Sequence, residues 1–205
     1  MQASFSKSGR DRSRTEAKLR EAVLNVLVEG GFGALTPTAV GKAAGVDKML
    51  IYRYFGGMDG LMQAVADGPG VFPTFEEVCG GDPAAARALP VPERAALVLD
   101  NMAQLLMARP AVLELMVWEL VERNALTAIT ETARETMGLR IGAELFADVA
   151  EPELVGAVGA LLSAGVIYLA LRRRKIRWFN GIDLRSDAGW AQIRTAIATM
   201  TAGLG

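Results

Sequence analysis

Histidine is absent from this sequence, and cysteine occurs once, at Cys79. Without histidine neither a Ser-His-Asp triad nor a Cys-His pair can be assembled, and most zinc sites lose a usual ligand. A lone cysteine cannot cross-link the chain to itself, so a reducing cytoplasm is the expected compartment. Phosphate-cradling loops are missing too: "GGFG" near the front is too short for a nucleotide fingerprint and reads as a helix stop. The opening stretch, "MQASFSKSGRDRSR", carries no apolar run behind its charges and does not read as a secretory signal. These absences argue against an enzyme, and no cofactor or metal is expected.

What is present is material for a core. Of 205 residues, 51% are hydrophobic and 22% charged, a balance that fits a globular chain and argues against disorder. The net charge of −1 hides an asymmetry, since residues 1–60 hold nine Lys/Arg against six Asp/Glu and the rest of the chain is acidic. A basic front on an acidic body points to a polyanionic partner for the front alone.

The apolar residues recur at helical spacing, strand signals are nearly absent, and no repeat is found, so the fold class is all-α. Residues 1–11 read as a flexible basic arm. From Arg12 a helix is predicted, with Leu19, Ala22, Val23, Val26 and Leu27 on one face and Gly31 at the left-handed position that ends it. Thr36 is a good N-cap and Pro37 suits the first turn of a short second helix. Gly45 permits a tight turn, Asp47 caps the next helix over Lys48 to Phe55, and a further helix starts near Met58. Ile51 and Phe55 share the face that packs inward with Val40 and Val46. "GPGVFPTF" and "GGDPAAARALPVP" read as a linker and a loop. Helices are predicted at 91–108, 110–122, 124–149, 152–175 and 187–203.

Within the stretch "AAGVDKMLIYRYF" (residues 43–55), two short helices flank a glycine turn. This spacing fits a helix-turn-helix, whose second helix lies in the DNA major groove. Lys48 then meets a phosphate or a guanine edge, and Tyr52 and Tyr54 offer hydroxyls to phosphates. The alternative is an ordinary helical hairpin with half-buried tyrosines and a solvated lysine.

Residues 15–61, "TEAKLREAVLNVLVEGGFGALTPTAVGKAAGVDKMLIYRYFGGMDGL", resemble the tetracycline-repressor (TetR) family of transcriptional regulators. The matching features run in order: a first helix ending in Gly-aromatic, a Thr opening helix two, "AAGV", and a short helix ending in Tyr-x-Tyr-Phe. An acidic-then-Leu start to helix four completes them. The resemblance implies a three-helix DNA-binding domain over 12–56 and a helical ligand-binding and dimerisation domain over 57–205. It also implies a homodimer that binds a double-stranded DNA operator and a small-molecule effector that relieves repression. Carried over by position, the DNA-facing set is Thr36, Pro37, Thr38, Lys48, Met49, Leu50, Tyr52 and Tyr54. Two residues depart from the pattern: Leu50 stands where a threonine is common, and Met58 where a phosphate-contacting lysine is common. The arm residues Lys7, Arg10, Arg12 and Arg14 either add backbone or minor-groove contacts or form a solvated tail.

Residues 154–171, "LVGAVGALLSAGVIYLAL", run for 18 positions without a charge, and "RRRK" follows. As a helix this run spans roughly 27 Å, slightly short of a bilayer core. One reading is a membrane anchor on a helical regulator. The other, which the resemblance favours, is burial in a four-helix dimer bundle formed with 187–203, where Gly156, Gly159, Ala160 and Ala164 let helices approach closely. "RRRKIRW" (172–178) reads as charge complementing a helix end, or as a nucleic-acid patch. For the effector, Met102, Leu105, Leu106, Met116, Trp118, Met137, Phe146 and Tyr168 offer a Met- and aromatic-rich lining suited to an apolar ligand. Glu119, with Glu114 and Arg109, supplies charge in that apolar neighbourhood. The alternative is plain core packing, which for each residue taken alone is the better reading.

Overall fold

Local caps decide where each helix of this chain begins, and apolar stripes decide what it buries. The computed structural model describes residues 3–68, 70–121 and 125–203, with backbone alone for 3–10 and 125–126. Among the described residues the α-helices are α1 (Ala3–Gly30), α2 (Pro37–Ala44), α3 (Met49–Phe55), α4 (Met58–Ala66), α5 (Phe75–Val78) and α6 (Pro83–Ala88). They continue with α7 (Val91–Met107), α8 (Pro110–Glu119), α9 (Ala125–Leu145), α10 (Pro152–Arg172) and α11 (Asp187–Thr201). A 3-10 turn covers Phe32–Ala34, and a hairpin pairs β1 (Trp178–Phe179) with β2 (Ile182–Asp183). Among the described residues the fold is all-α apart from that hairpin.

Contacts group the chain into two compact units, Met1–Phe72 with Pro110–Thr132, and Pro73–Arg109 with Ala133–Gly205. The first unit is thus larger than residues 12–56, because α4 and α8 belong with the leading three helices. In it, α1 packs on α2, α4 and α8, and Leu19, Val23 and Leu27 are fully buried. Burying one such side chain stabilises by about 1.5–3 kcal/mol. The stretch expected to be an arm is continuous with α1, whose backbone begins at Ala3. Residues 3–11 contain no proline, and adding turns to an existing helix avoids the cost of a new nucleus. With Phe5 as the one large apolar residue among them, residues 3–11 carry no periodicity by which the sequence could announce a helix.

The second unit holds two short helices in stretches expected to be linker and loop. Thr74 and Glu77 form a capping box, the Thr74 hydroxyl accepting from Glu77 N at 3.2 Å and the Glu77 carboxylate from Thr74 N at 2.8 Å. Asp82 accepts from the Ala84 and Ala85 N–H groups, both at 3.0 Å, with Pro83 opening α6. Phe75, Val78, Cys79, Ala86, Val98 and Leu145 form this unit's apolar cluster. Arg94, buried on α7, donates to the Leu89 and Leu145 carbonyls and to Asp148, and so ties the end of α9 to α7.

α10 and α11 both pack on α7. α10 stops at Arg172, three residues before the expected end, because the chain turns into the hairpin. Asn180 and Gly181 take φ of 47° and 82°, the positive values that a two-residue hairpin turn requires. Much of the basic run is used here. Arg173 donates to Leu184 O at 3.1 Å, Arg177 pairs with Asp183 at 2.9 Å, and Arg172 lies over the Tyr168 ring. A Cβ on Gly189 would lie 2.0 Å from the Asp183 carbonyl oxygen, so only glycine lets α11 begin so close to the hairpin.

Candidate nucleic-acid interface

The Thr36 hydroxyl accepts from Ala39 N at 3.1 Å, which fixes the start of α2, and Pro37 occupies the first turn. Gly45 ends α2 in the left-handed conformation at φ 65°. The Asp47 carboxylate then accepts from Met49 N at 2.8 Å and starts α3. A Cβ on Gly41 would sit 3.1 Å from both Lys48 N and Val46 O, so the turn lies tight against α2.

With Ile51 fully buried, α3 has one orientation. Lys48 at its N-terminal end is exposed, as are Met49 (59%) and Tyr52 (49%), beside the exposed Thr36 and Thr38. Pro37, Leu50 and Tyr54 are half-buried. The Tyr54 ring has the Arg12 guanidinium 5.1 Å from its centroid and that of Arg53 at 5.9 Å. Arg12 also pairs with Glu16 at 2.7 Å, so it braces α3 from α1 rather than hanging in a tail. The side chains of Lys7 and Arg10 lie outside the described residues, and Arg14 is exposed. Sequence reasoning passed over Arg53, which is exposed on the same face as Met49, four residues on; the i, i+4 spacing was the available signal.

A basic, tyrosine-bearing second helix set on a capped first helix is the geometry of a helix-turn-helix. Residues 19–65 match the family model described as "Bacterial regulatory proteins, tetR family". Residues 19–65 are thus similar to the DNA-binding domain of the TetR family. The family is one of DNA-binding transcription factors, not enzymes. Solved structures share the fold over nearly the whole length of this chain. A TetR-like transcriptional regulator from Rhodococcus sp. RHA1 aligns at 18% identity and TM-score 0.62, covering 92% of this chain and 96% of that one. The TetR family regulator PfmR from Thermus thermophilus aligns at 14% and 0.58, covering 91% and 98%. A member of the family from Streptomyces coelicolor aligns at 22% and 0.55, covering 90% and 89%. No curated protein matches the chain by sequence.

The residues expected to line an effector pocket are divided between the two compact units. Met102, Leu105, Met137 and Phe146 pack against the Phe75 cluster, and Leu106 is buried in the same unit. Met116, Trp118 and Glu119 belong to the other unit, where the Trp118 ring lies 4.9 Å from that of Phe32. Tyr168 is exposed and meets Phe179 edge-on at 5.8 Å. The reason is that α8 buries Ala111, Val112, Leu113, Leu115 and Met116 around its circumference, so no stripe in the sequence assigns each side chain its neighbour. Of the charges, Arg109 pairs with Glu77 at 2.6 Å. The Thr74 N–H, with Arg109 beyond it, holds the Glu77 carboxyl below its ordinary value. Burial, then Glu76 and Glu144, push the Cys79 thiol up, which keeps it unreactive.

Proposed function

We propose that this chain is a TetR-family regulator, a ligand-responsive cytoplasmic repressor. It binds a pseudo-palindromic operator as a homodimer and is released by a small, largely apolar ligand. The observation that carries the reading is the exposed face of α3, where Lys48, Met49 and Tyr52 stand clear of a helix anchored by Ile51. With Thr36, Pro37, Thr38, Leu50 and Tyr54 they form the proposed DNA-facing set, and DNA binding belongs to residues 12–56. Residues from 57 onward carry effector binding and dimerisation.

The effector reading centres on the Phe75 cluster, whose Met102 and Met137 are the flexible side chains able to reshape around an apolar guest. For dimerisation, Gly156, Gly159, Ala160, Leu161 and Ala164 are exposed along α10, although this helix has the mean hydropathy, 2.2, of a membrane span. A second copy covers such a face in a soluble regulator, and lipid would cover it in a membrane-attached one. The small residues favour the copy, since close approach of helices needs them.

Selection of DNA fragments by the purified chain, followed by gel shifts across a salt series, tests the reading. The expected result is a two-fold-related sequence with half-sites about one helical turn apart or a multiple of it, and affinity that falls steeply with salt. Recovery of no enriched sequence, or of one half-site bound by a monomer, rejects it.

A further inference from the structure

The corner between α10 and α11 holds a recess of about 270 Å³ that the repressor reading leaves unused. Arg173, Arg185 and Arg194 line it, together with Trp190 and the last turn of α7 at Gln104 and Met107. Two of the arginines are held in place by the backbone. Arg173 Nε donates to Leu184 O at 3.1 Å, and Arg185 donates to Arg173 O at 3.0 Å and Arg174 O at 3.4 Å. Arg194 makes one long contact, Nη1 to Asp100 Oδ1 at 3.5 Å. A guanidinium carries five N–H donors, so each of the three keeps donors beyond these bonds.

The opposing charges are few. Asp187 lines the recess and Asp100 shares Arg194, whereas Asp183 is engaged by Arg177 and by the Arg185 N–H. Three guanidinium groups against two carboxylates leave positive charge in excess. The first turn of α11, capped by Ser186, adds its N–H dipoles with the same sign. Trp190 is 4% exposed, and its indole N–H is already spent on Leu184 O at 2.8 Å, which leaves its ring as an apolar wall. The volume lies just below the roughly 300–1,000 Å³ typical of drug-sized ligands, so the occupant is compact.

We propose that Arg173, Arg185 and Arg194 form a binding site for a small organic anion, a carboxylate or phosphate monoester that bears a compact apolar group. The site is separate from the Phe75 cluster, and the proposal does not depend on DNA binding.

Isothermal titration of the full chain with benzoate, phenyl phosphate and inorganic phosphate tests it. The expected result is saturable binding of one organic anion per chain. Arg173→Gln and Arg194→Gln should each weaken it about tenfold, the loss expected for one charge-assisted hydrogen bond. Arg172→Gln, a neighbour whose guanidinium lies over Tyr168 instead, should leave it unchanged. Competition between benzoate and phenyl phosphate then identifies the preferred head group. Arg194→Gln breaks only the one long contact, so its melting curve should match the wild type and keep the binding result interpretable. Three outcomes would overturn the proposal: no saturable binding, an equal loss in Arg172→Gln, or inorganic phosphate binding as tightly as the phenyl ester.

Discussion

Lys48 and Tyr52 flank Ile51, and the contrast in burial among these residues gives α3 its exposed side. If that side meets DNA, Lys48→Ala or Tyr52→Ala should cost about 1–3 kcal/mol of operator binding, with a shallower salt slope for the lysine. Gel shifts on folded variants check this, and unchanged affinity for both would remove the pair from the interface. A second residue-scale prediction concerns Arg94. Its hydrogen bond to Asp148 holds that carboxyl below the ordinary aspartate value. A carboxyl lowered in the folded state adds stability above its unfolded value of about 4, and that share disappears as pH falls through the folded value. The stability gap between wild type and Asp148→Asn should therefore be full at neutral pH and close in acid, as read by denaturant melts at several pH values. Arg94→Ala, which also leaves the Leu89 and Leu145 carbonyls unpaired, should cost roughly 3 kcal/mol at neutral pH and keep most of that cost in acid, where only the Asp148 share is gone.

At the scale of elements, α2 and α3 were legible because their ends are written in cap residues. Thr36, Gly45, Asp47 and Gly56 sit where the backbone needs them. The same signals stood in plain view at Thr74-x-x-Glu77, Asp82-Pro83 and Asn180-Gly181. There the elements are only four, six and two residues long, too short for periodicity to support the caps. Gly60 shows what no pattern discloses. It lies within α4, where alanine would ordinarily gain about 1 kcal/mol. Its Cβ, however, would fall 1.9 Å from the Phe55 carbonyl oxygen at the end of α3. Gly60→Ala should thus lower the melting temperature followed by circular dichroism, and a rise would contradict the close approach of α3 and α4.

For the whole molecule, the class of fold and the helix-turn-helix were readable, while the packing neighbours of the expected effector residues were not. Periodicity reports that a side chain is inward, but not which neighbour it meets. α10 poses the larger question, since the apolar helix that raised a membrane reading remains largely uncovered in a single chain. A Cβ on Gly159 would meet nothing within 4 Å, so the chain itself tolerates a larger residue there. Gly159→Leu and Ala164→Leu should therefore leave the fold intact and weaken dimerisation by roughly 1–3 kcal/mol per site through overpacking. Analytical ultracentrifugation without detergent measures this. Unchanged dimers would exclude these residues from the interface, and a wild type that needs detergent would favour the membrane reading.

The contact between Phe32 and Trp118 also gives the molecule an optical handle. Of the three tryptophans, Trp118 is the one in the first compact unit, while Trp190 is buried and Trp178 is 59% exposed in the second. With Trp178 and Trp190 replaced by phenylalanine, the remaining emission would come from the ring that sits 4.9 Å from Phe32. Its colour and its quenching by iodide would then register whether α8 keeps its seat on the turn that precedes α2. Operator or effector could be added to the same cuvette, and the response would be specific to that one seam of the fold.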